Sequence, residues 1–343
     1  MKRNVVILLL VFCPLVWGQG SVVFLNPGKA DESFWQDVDT FAAVAAKQLD
    51  LDLQTFHSER NHYSKLKHIE WMIENQQLPD YLMLVNERQA LPRMLSLLEG
   101  HAVYVVVILN DLDEDQLALR KLNPHWQKYL LSSLVPNNYA IGYATAQAMH
   151  AAAEGGGGDA VIISGDKATP ASVAREGGAE AFFLQQTSIN MRQIVYGQWD
   201  EQRSYYQTKV LLQRYPQLRF LWTANDHMAF GSLKAIKEAG KQAGKDIFVG
   251  TVNTSAKALE LRETGEISAL GGGHFSAAGL ALNLIYLHQL GKPIPATVNS
   301  NMFQLLVPGT QEYQQLKDKN WSDISFDTLL LERDKSFNFP VVQ

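Results

Sequence analysis

Short apolar runs alternate with amphipathic stretches along almost the whole chain, and this alternation limits the possible fold more than any other feature. Residues 22–25, 51–56, 81–85, 103–109, 160–164, 192–196, 218–223 and 247–251 read as strands, being short and rich in branched or aromatic side chains. Between the first two, Phe34, Val38, Phe41, Ala42, Ala45 and Leu49 recur on one helical face. A second helix is expected over 226–239, capped by Asn225 or Asp226 and stopped at Gly240. Strands separated by helices pair in parallel and are covered on both faces. The expected class is therefore α/β. At roughly 100–200 residues per domain, 343 residues suggest two domains, each able to bury its own core.

The first residues depart from this pattern. Lys2 and Arg3 precede an apolar run at 5–17, followed by Gly18 and Gly20, which reads as a secretory signal peptide over 1–18. Such a run is too short to span a bilayer, which needs about 20 residues. Cys13 is the only cysteine, and Phe12 before it argues against a lipid-acceptor site. Cleavage near Gly18 would leave no thiol, hence no disulfide, cysteine nucleophile or cysteine metal site. It would also leave 28 basic against 35 acidic residues, a net charge of −7. Nothing in that balance neutralises phosphates, so nucleic acid is not an expected partner.

Eight residues at 151–158, AAAEGGGG, separate the halves. A phosphate-cradling glycine loop follows a strand and opens a helix, whereas this one does the reverse, so it is expected to be a connection.

In open parallel sheets, ligands sit beyond the carboxyl ends of the strands. Those ends deliver Asn26 with the loop to Phe34 and Trp35, then Asn86 and Glu87, then Asn110 and Asp111. The second half delivers 166–175, Gln198 and Trp199, Asn225 and Asp226, Asn253, and His274 after three glycines. An amide supplies two donors and an acceptor to a hydroxyl. A flat ring covers the C–H face of a sugar with rigid apolar area. Taken singly, each Asn is as readily a turn or a helix cap. Together they suit a polyol.

The stretch TANDHMAFGSLKAIKEAG at 223–240 resembles the signature of type I periplasmic binding proteins and the related repressor sensor domains. Further elements follow in that family's order: PDYLMLVN at 79–86, VVVILND at 105–111, PNNYAIGYATAQAM at 136–149, GDKATPASVAREGG at 165–178, GQWD at 197–200 and VGTVNTS at 249–255. The likeness extends to sugar-binding proteins of ABC transporters, including ribose- and autoinducer-binding members. It implies two Rossmann-like lobes, 19–136 with 275–303 and 137–274 with 304–343, joined by three crossings near Pro136, His274 and Phe303. By position it implies stacking rings at Phe34, Trp35 and Trp199 and polar contacts at Asn86, Asn110, Asn138 and Asn225. Arg175 resembles the arginine of the family's R-x-x-G motif, although a surface salt bridge is an equal reading of that residue.

The chain also departs from the sugar-binding pattern. Thr251 and Val252 stand where ribose-type proteins show an aromatic and an Asp, so Asn253 is the expected substitute. His274 stands near a usual Gln, and Asn110 with Asp111 where an Asp is usual. The expected site is thus Phe34, Trp35, Asn86, Asn110, Asp111, Asn138, Arg175, Trp199, Asn225, Asn253 and His274, with no cofactor, metal or catalytic residue. His57, Glu59, His62 and His68 lack the i, i+4 pairing of a metal site and are expected to form a solvated loop. No G-x-S-x-G elbow marks a hydrolase. A repressor would need about 50 residues of helix-turn-helix before the first strand, where only the export signal stands. The expected function is a monomeric periplasmic protein that captures a sugar or sugar-like ligand by lobe closure and presents it to an ABC permease. The alternative is a sensor subunit signalling to a membrane histidine kinase.

Overall fold

The computed structural model describes residues 20–298 and 302–328, so the expected signal at 1–18 and Cys13 lie outside the described residues. The first half runs β1 (Ser21–Asn26), α1 (Ser33–Gln48), β2 (Asp52–His57), α2 (His62–Glu74), β3 (Tyr81–Leu84), α3 (Leu91–Leu98), β4 (Tyr104–Ile108), α4 (Glu114–Leu122), α5 (Pro124–Tyr129) and β5 (Leu130–Leu134). The second runs α6 (Asn138–Ala152), β6 (Gly158–Ser164), α7 (Pro170–Gln185), β7 (Ile189–Tyr196), α8 (Glu201–Arg214), β8 (Leu218–Thr223), α9 (Asp226–Glu238), β9 (Phe248–Val252), α10 (Ala256–Glu263) and β10 (Ala269–Gly272). Then α11 (Ala277–Gln289) and β11 (Thr297–Val298) return to the first lobe, and β12 (Gln304–Leu305) and α12 (Gln311–Asp318) to the second.

Each lobe is built on a six-stranded sheet, ordered β11-β5-β4-β3-β1-β2 in one and β12-β10-β9-β8-β6-β7 in the other. All pairings are parallel except β10 with β12. The central strands β3 and β9 are buried at every residue, whereas the edge strands β2 and β7 are mostly not. A strand covered by helices on both faces tolerates no polar alternation. Helix α11 is buried along most of its length, being apolar apart from Asn283, which donates to Phe326 O, and its last residues. It packs on α1, where Phe41 meets Phe275, Trp321 and Phe326 edge to face at 5.2–5.5 Å. After α12 the chain at Trp321 and Phe326 packs its rings on Phe41 of α1.

Strand β5 escapes an apolar pattern because it carries Ser132 and Ser133, both buried. Their hydroxyls donate to Pro295 O and to Asp111, so burial leaves no orphaned group. Strand β10 is equally hidden in sequence, reading ALGG. A Cβ on its Gly271 would fall 2.6 Å from the Ile141 side chain of α6. Helices α6 and α7 also approach closely through glycine: a Cβ on Gly142 would meet Arg175 O at 2.0 Å, and one on Gly178 would meet Tyr139 O at 2.0 Å.

Backbone cannot yield as a side chain can. Gly178→Val is therefore expected to lower stability by about 1–3 kcal/mol. In urea unfolding the midpoint should fall with the slope unchanged; an unmoved midpoint would show that the two helices can separate freely.

Candidate functional site

The carboxyl ends of both sheets converge on a cavity of about 50 Å³. Glu32, Phe34, Trp35, Arg60, Glu87, Leu109 and Asn110 form its first-lobe wall. Thr169, Ala171, Arg175, Trp199, Asn225 and Asn253 form the other, with His274 at the crossing after β10.

Phe34 and Trp35 open α1, meeting edge to face at 4.9 Å. Phe34 then stacks on the His274 ring at 4.5 Å, and that ring lies 4.4 Å from Phe303. Trp199 approaches from the second lobe on a left-handed backbone pair, Gln198 at φ 56° and Trp199 at φ 64°. Its indole lies over Gly165, where a Cβ would come within 2.2 Å of the ring, and its Nε1 donates to Asp166 at 2.9 Å. Burial would raise the Asp166 pKa, but hydrogen bonds from Thr169, Ala168 and Trp199 outweigh it and hold it low. Leu109 and Asn253 are also left-handed, at φ 65° and 110°. Non-glycine residues held there cost about 1–3 kcal/mol each and tend to cluster at functional sites.

Arg175 is 4% exposed, which excludes the surface salt bridge that the sequence left open. Its Nε donates to Asn138 Oδ1 at 2.8 Å, Nη1 to Ala224 O at 3.0 Å and Nη2 to His274 Nε2 at 2.9 Å. A guanidinium only donates, so His274 Nε2 must accept and the proton sits on Nδ1. Burial lowers the Arg175 pKa to about 9, which still leaves it charged at neutral pH. Burial, then the neighbouring Arg175 charge, pushes His274 well below the ordinary histidine value and keeps it neutral.

The lobes touch directly around this cavity. Asn110 Oδ1 accepts from Ala171 N at 2.7 Å, Arg88 Nη2 donates to Gln198 Oε1 at 2.9 Å, and Ser33 Oγ lies 3.1 Å from His227 Nε2. Asn225 caps α9 by accepting from Met228 N at 3.0 Å while also lining the cavity, so its two readings coincide. Asn253 donates to Asp226 at 2.8 Å.

Three expected residues do not line the cavity. Asn86 donates to Asp111 O at 2.7 Å and accepts from Leu91 N at 3.1 Å, tying the ends of β3 and β4 together. Asp111 accepts from Leu112 N and Ser133 Oγ at 2.7 and 2.6 Å. Asn138 lies behind Arg175, as its acceptor. Conversely, Glu32, Glu87, Thr169 and Ala171, which lie in the segments delivered to that edge but were not singled out, also line the cavity, as do Arg60 and Leu109, which were not expected there. Arg60 donates from Nε to Glu32 at 2.9 Å and from Nη1 to Glu87 at 2.7 Å, and lies 5.9 Å from the Trp35 ring centroid. Burial would depress its pKa, but the two carboxylates raise it overall. Extending the strand-end rule to the loop after β2 would have found it. The histidines of that region disperse: His57 pairs with Asp39 at 3.1 Å and His68 stacks on Phe56 at 3.9 Å.

The topology and the sequence match one family. The family model for the periplasmic binding protein domain matches residues 22–292. The chain belongs to that family. The D-allose-binding periplasmic protein of Escherichia coli (strain K12) is 26% identical over 268 residues, 76% of this chain and 83% of that one. A solved periplasmic sugar-binding protein from Pseudomonas fluorescens superposes with a TM-score of 0.83 at 30% identity, covering 94% of this chain and 98% of its own. The arabinose ABC transporter's periplasmic component from Shewanella sp. ANA-3, with arabinofuranose bound, shares the fold with a TM-score of 0.73 at 18% identity, covering 87% and 96%.

A depressed histidine pKa makes stability depend on pH with a definite sign. Below the ordinary value of 6.5 the unfolded chain takes up a proton at this position and the folded chain does not. Stability is therefore full above that pH and declines as pH falls toward the depressed value, by about 1.4 kcal/mol per pH unit for one proton. Burial lowers His68 and His288 as well, so the comparison isolates one residue. His274→Gln should show a shallower loss of urea-unfolding stability between pH 7.5 and 5; identical slopes would mean His274 is protonated in the folded protein.

Proposed function

We propose that this chain works in the periplasm, exported by its first 18 residues, as a solute-binding protein. It takes one sugar or sugar-like guest between its lobes and presents it to an ABC importer. The supporting observation is that rings and amides from both lobes share one cavity: Phe34, Trp35 and Asn110 from one side, Trp199, Asn225 and Asn253 from the other. A guest touching both walls favours the closed form by its extra contacts there, which is a population shift. Asn110 with Ala171 and Arg88 with Gln198 then add lobe-to-lobe hydrogen bonds of about 0.5–1.5 kcal/mol each.

The guest is small. The cavity of about 50 Å³ exceeds the roughly 10–15 Å³ that a single water requires. The D-allose named for the Escherichia coli relative and the arabinofuranose in the Shewanella structure support a single monosaccharide as the guest. The arabinose transporter component supports import rather than signalling as the role of the closed form.

A thermal-shift screen of the purified protein against aldoses, ketoses and polyols tests this. A guest at about 100 times its Kd should add about 2.7 kcal/mol of stability. Trp199→Ala should weaken binding by roughly tenfold or more, the loss expected for a ring contact worth at least about 1.4 kcal/mol. Asn225→Ala should also weaken binding, and costs about 1 kcal/mol of cap stability besides. A guest bound undiminished by both variants would place the site elsewhere.

A further inference from the structure

The charges around the cavity do not balance evenly. In the first-lobe wall, Glu32 and Glu87 are both held by Arg60, and Lys65 lies fully buried in the field of Glu87, so two carboxylates face two cations. In the second lobe, Asp166 accepts from Ala168 N, Thr169 N, Thr169 Oγ1 and Trp199 Nε1. Asp226 accepts from His227 N, Asn253 Nδ2 and Ser255 Oγ. Neither reaches Arg175. Among the described residues every acceptor of that guanidinium is neutral, and three of its five N–H groups are used. A buried charge without an opposite charge is costly.

The unused hydrogen-bonding groups point the same way. Two buried side-chain polar atoms among the described cavity residues lack a partner, Trp35 Nε1 and His274 Nδ1, and both are N–H donors. Arg175, which lines the cavity, keeps two unused N–H groups of its own. A hydroxyl gives a hydrogen for each one it accepts, whereas a carboxylate only accepts.

We infer that the guest is an acidic monosaccharide, a uronate or aldonate whose carboxylate takes the place of the missing protein carboxylate opposite Arg175. This rests on the cavity being the ligand site. The carboxylate supplies the counter-charge, and the ring or polyol remainder lies among the aromatic rings and amides. Charge-assisted, bidentate geometry is what a guanidinium offers best to a carboxylate.

Isothermal titration of matched pairs tests this: D-glucuronate against D-glucose, D-galacturonate against D-galactose, and D-gluconate against D-glucitol, with D-allose alongside. The acid of at least one pair is expected to bind roughly 10- to 100-fold tighter than its neutral partner. Arg175→Gln should collapse that ratio toward one, and should that variant fail to fold, the ratio in the unaltered protein decides. Neutral partners or D-allose binding as tightly as the acids would overturn the acidic guest and leave sugar capture standing. No binding by any member of the panel would overturn both.

Discussion

A guanidinium that meets no opposite charge among the described residues sits at the junction on which this molecule is organised. Arg175 extends from α7 to Asn138 at the start of α6, to the carbonyl that ends β8, and to the histidine of the second crossing. One side chain thus ties together two helices, a strand end and a hinge. Its burial is tolerable only because each N–H it uses meets a geometrically good acceptor, and because the cavity lies beside the remainder. The glycines of α6 and α7 belong to the same device. With backbone against backbone at Gly142 and Gly178, the guanidinium reaches Asn138 within hydrogen-bond distance.

The two walls of the cavity are chemically unlike. The first lobe offers a ring pair, Phe34 and Trp35, braced by an internally neutral ionic cluster around Arg60. The second offers helix starts, amides, one indole and an unneutralised cation. Such asymmetry gives a guest an orientation as well as a place. The left-handed backbone at Leu109, Trp199 and Asn253 shows where conformational strain is held to keep that geometry.

Much of the site was legible because strand ends in a parallel sheet point to one edge. Asn110, Arg175, Trp199, Asn225, Asn253 and His274 follow from that rule and from family order, and all line the cavity. Asn86, Asp111 and Asn138 sit at equally good positions along the chain but turn their side chains into neighbouring loops. Sequence position cannot distinguish an amide facing a cavity from one stitching two loops, since both satisfy the same donors and acceptors. Arg60 was missed for the opposite reason: nothing local marks a loop arginine whose partners, Glu32 and Glu87, lie about 27 residues away on either side.

The alternation of apolar runs with amphipathic helices determined the two parallel sheets, since only helices on both faces can cover strands that carry no polar side. Local chemistry likewise determined the cap at Asn225 and the helix that follows it. Tertiary structure alone decided that Trp321 and Phe326 pack on Phe41, because nothing in their local sequence names a partner about 280 residues away. It alone decided that Arg175 is buried beside a neutral histidine. Counter-charges are matched through space across residues far apart in the chain, and that balance exists only once the lobes have folded.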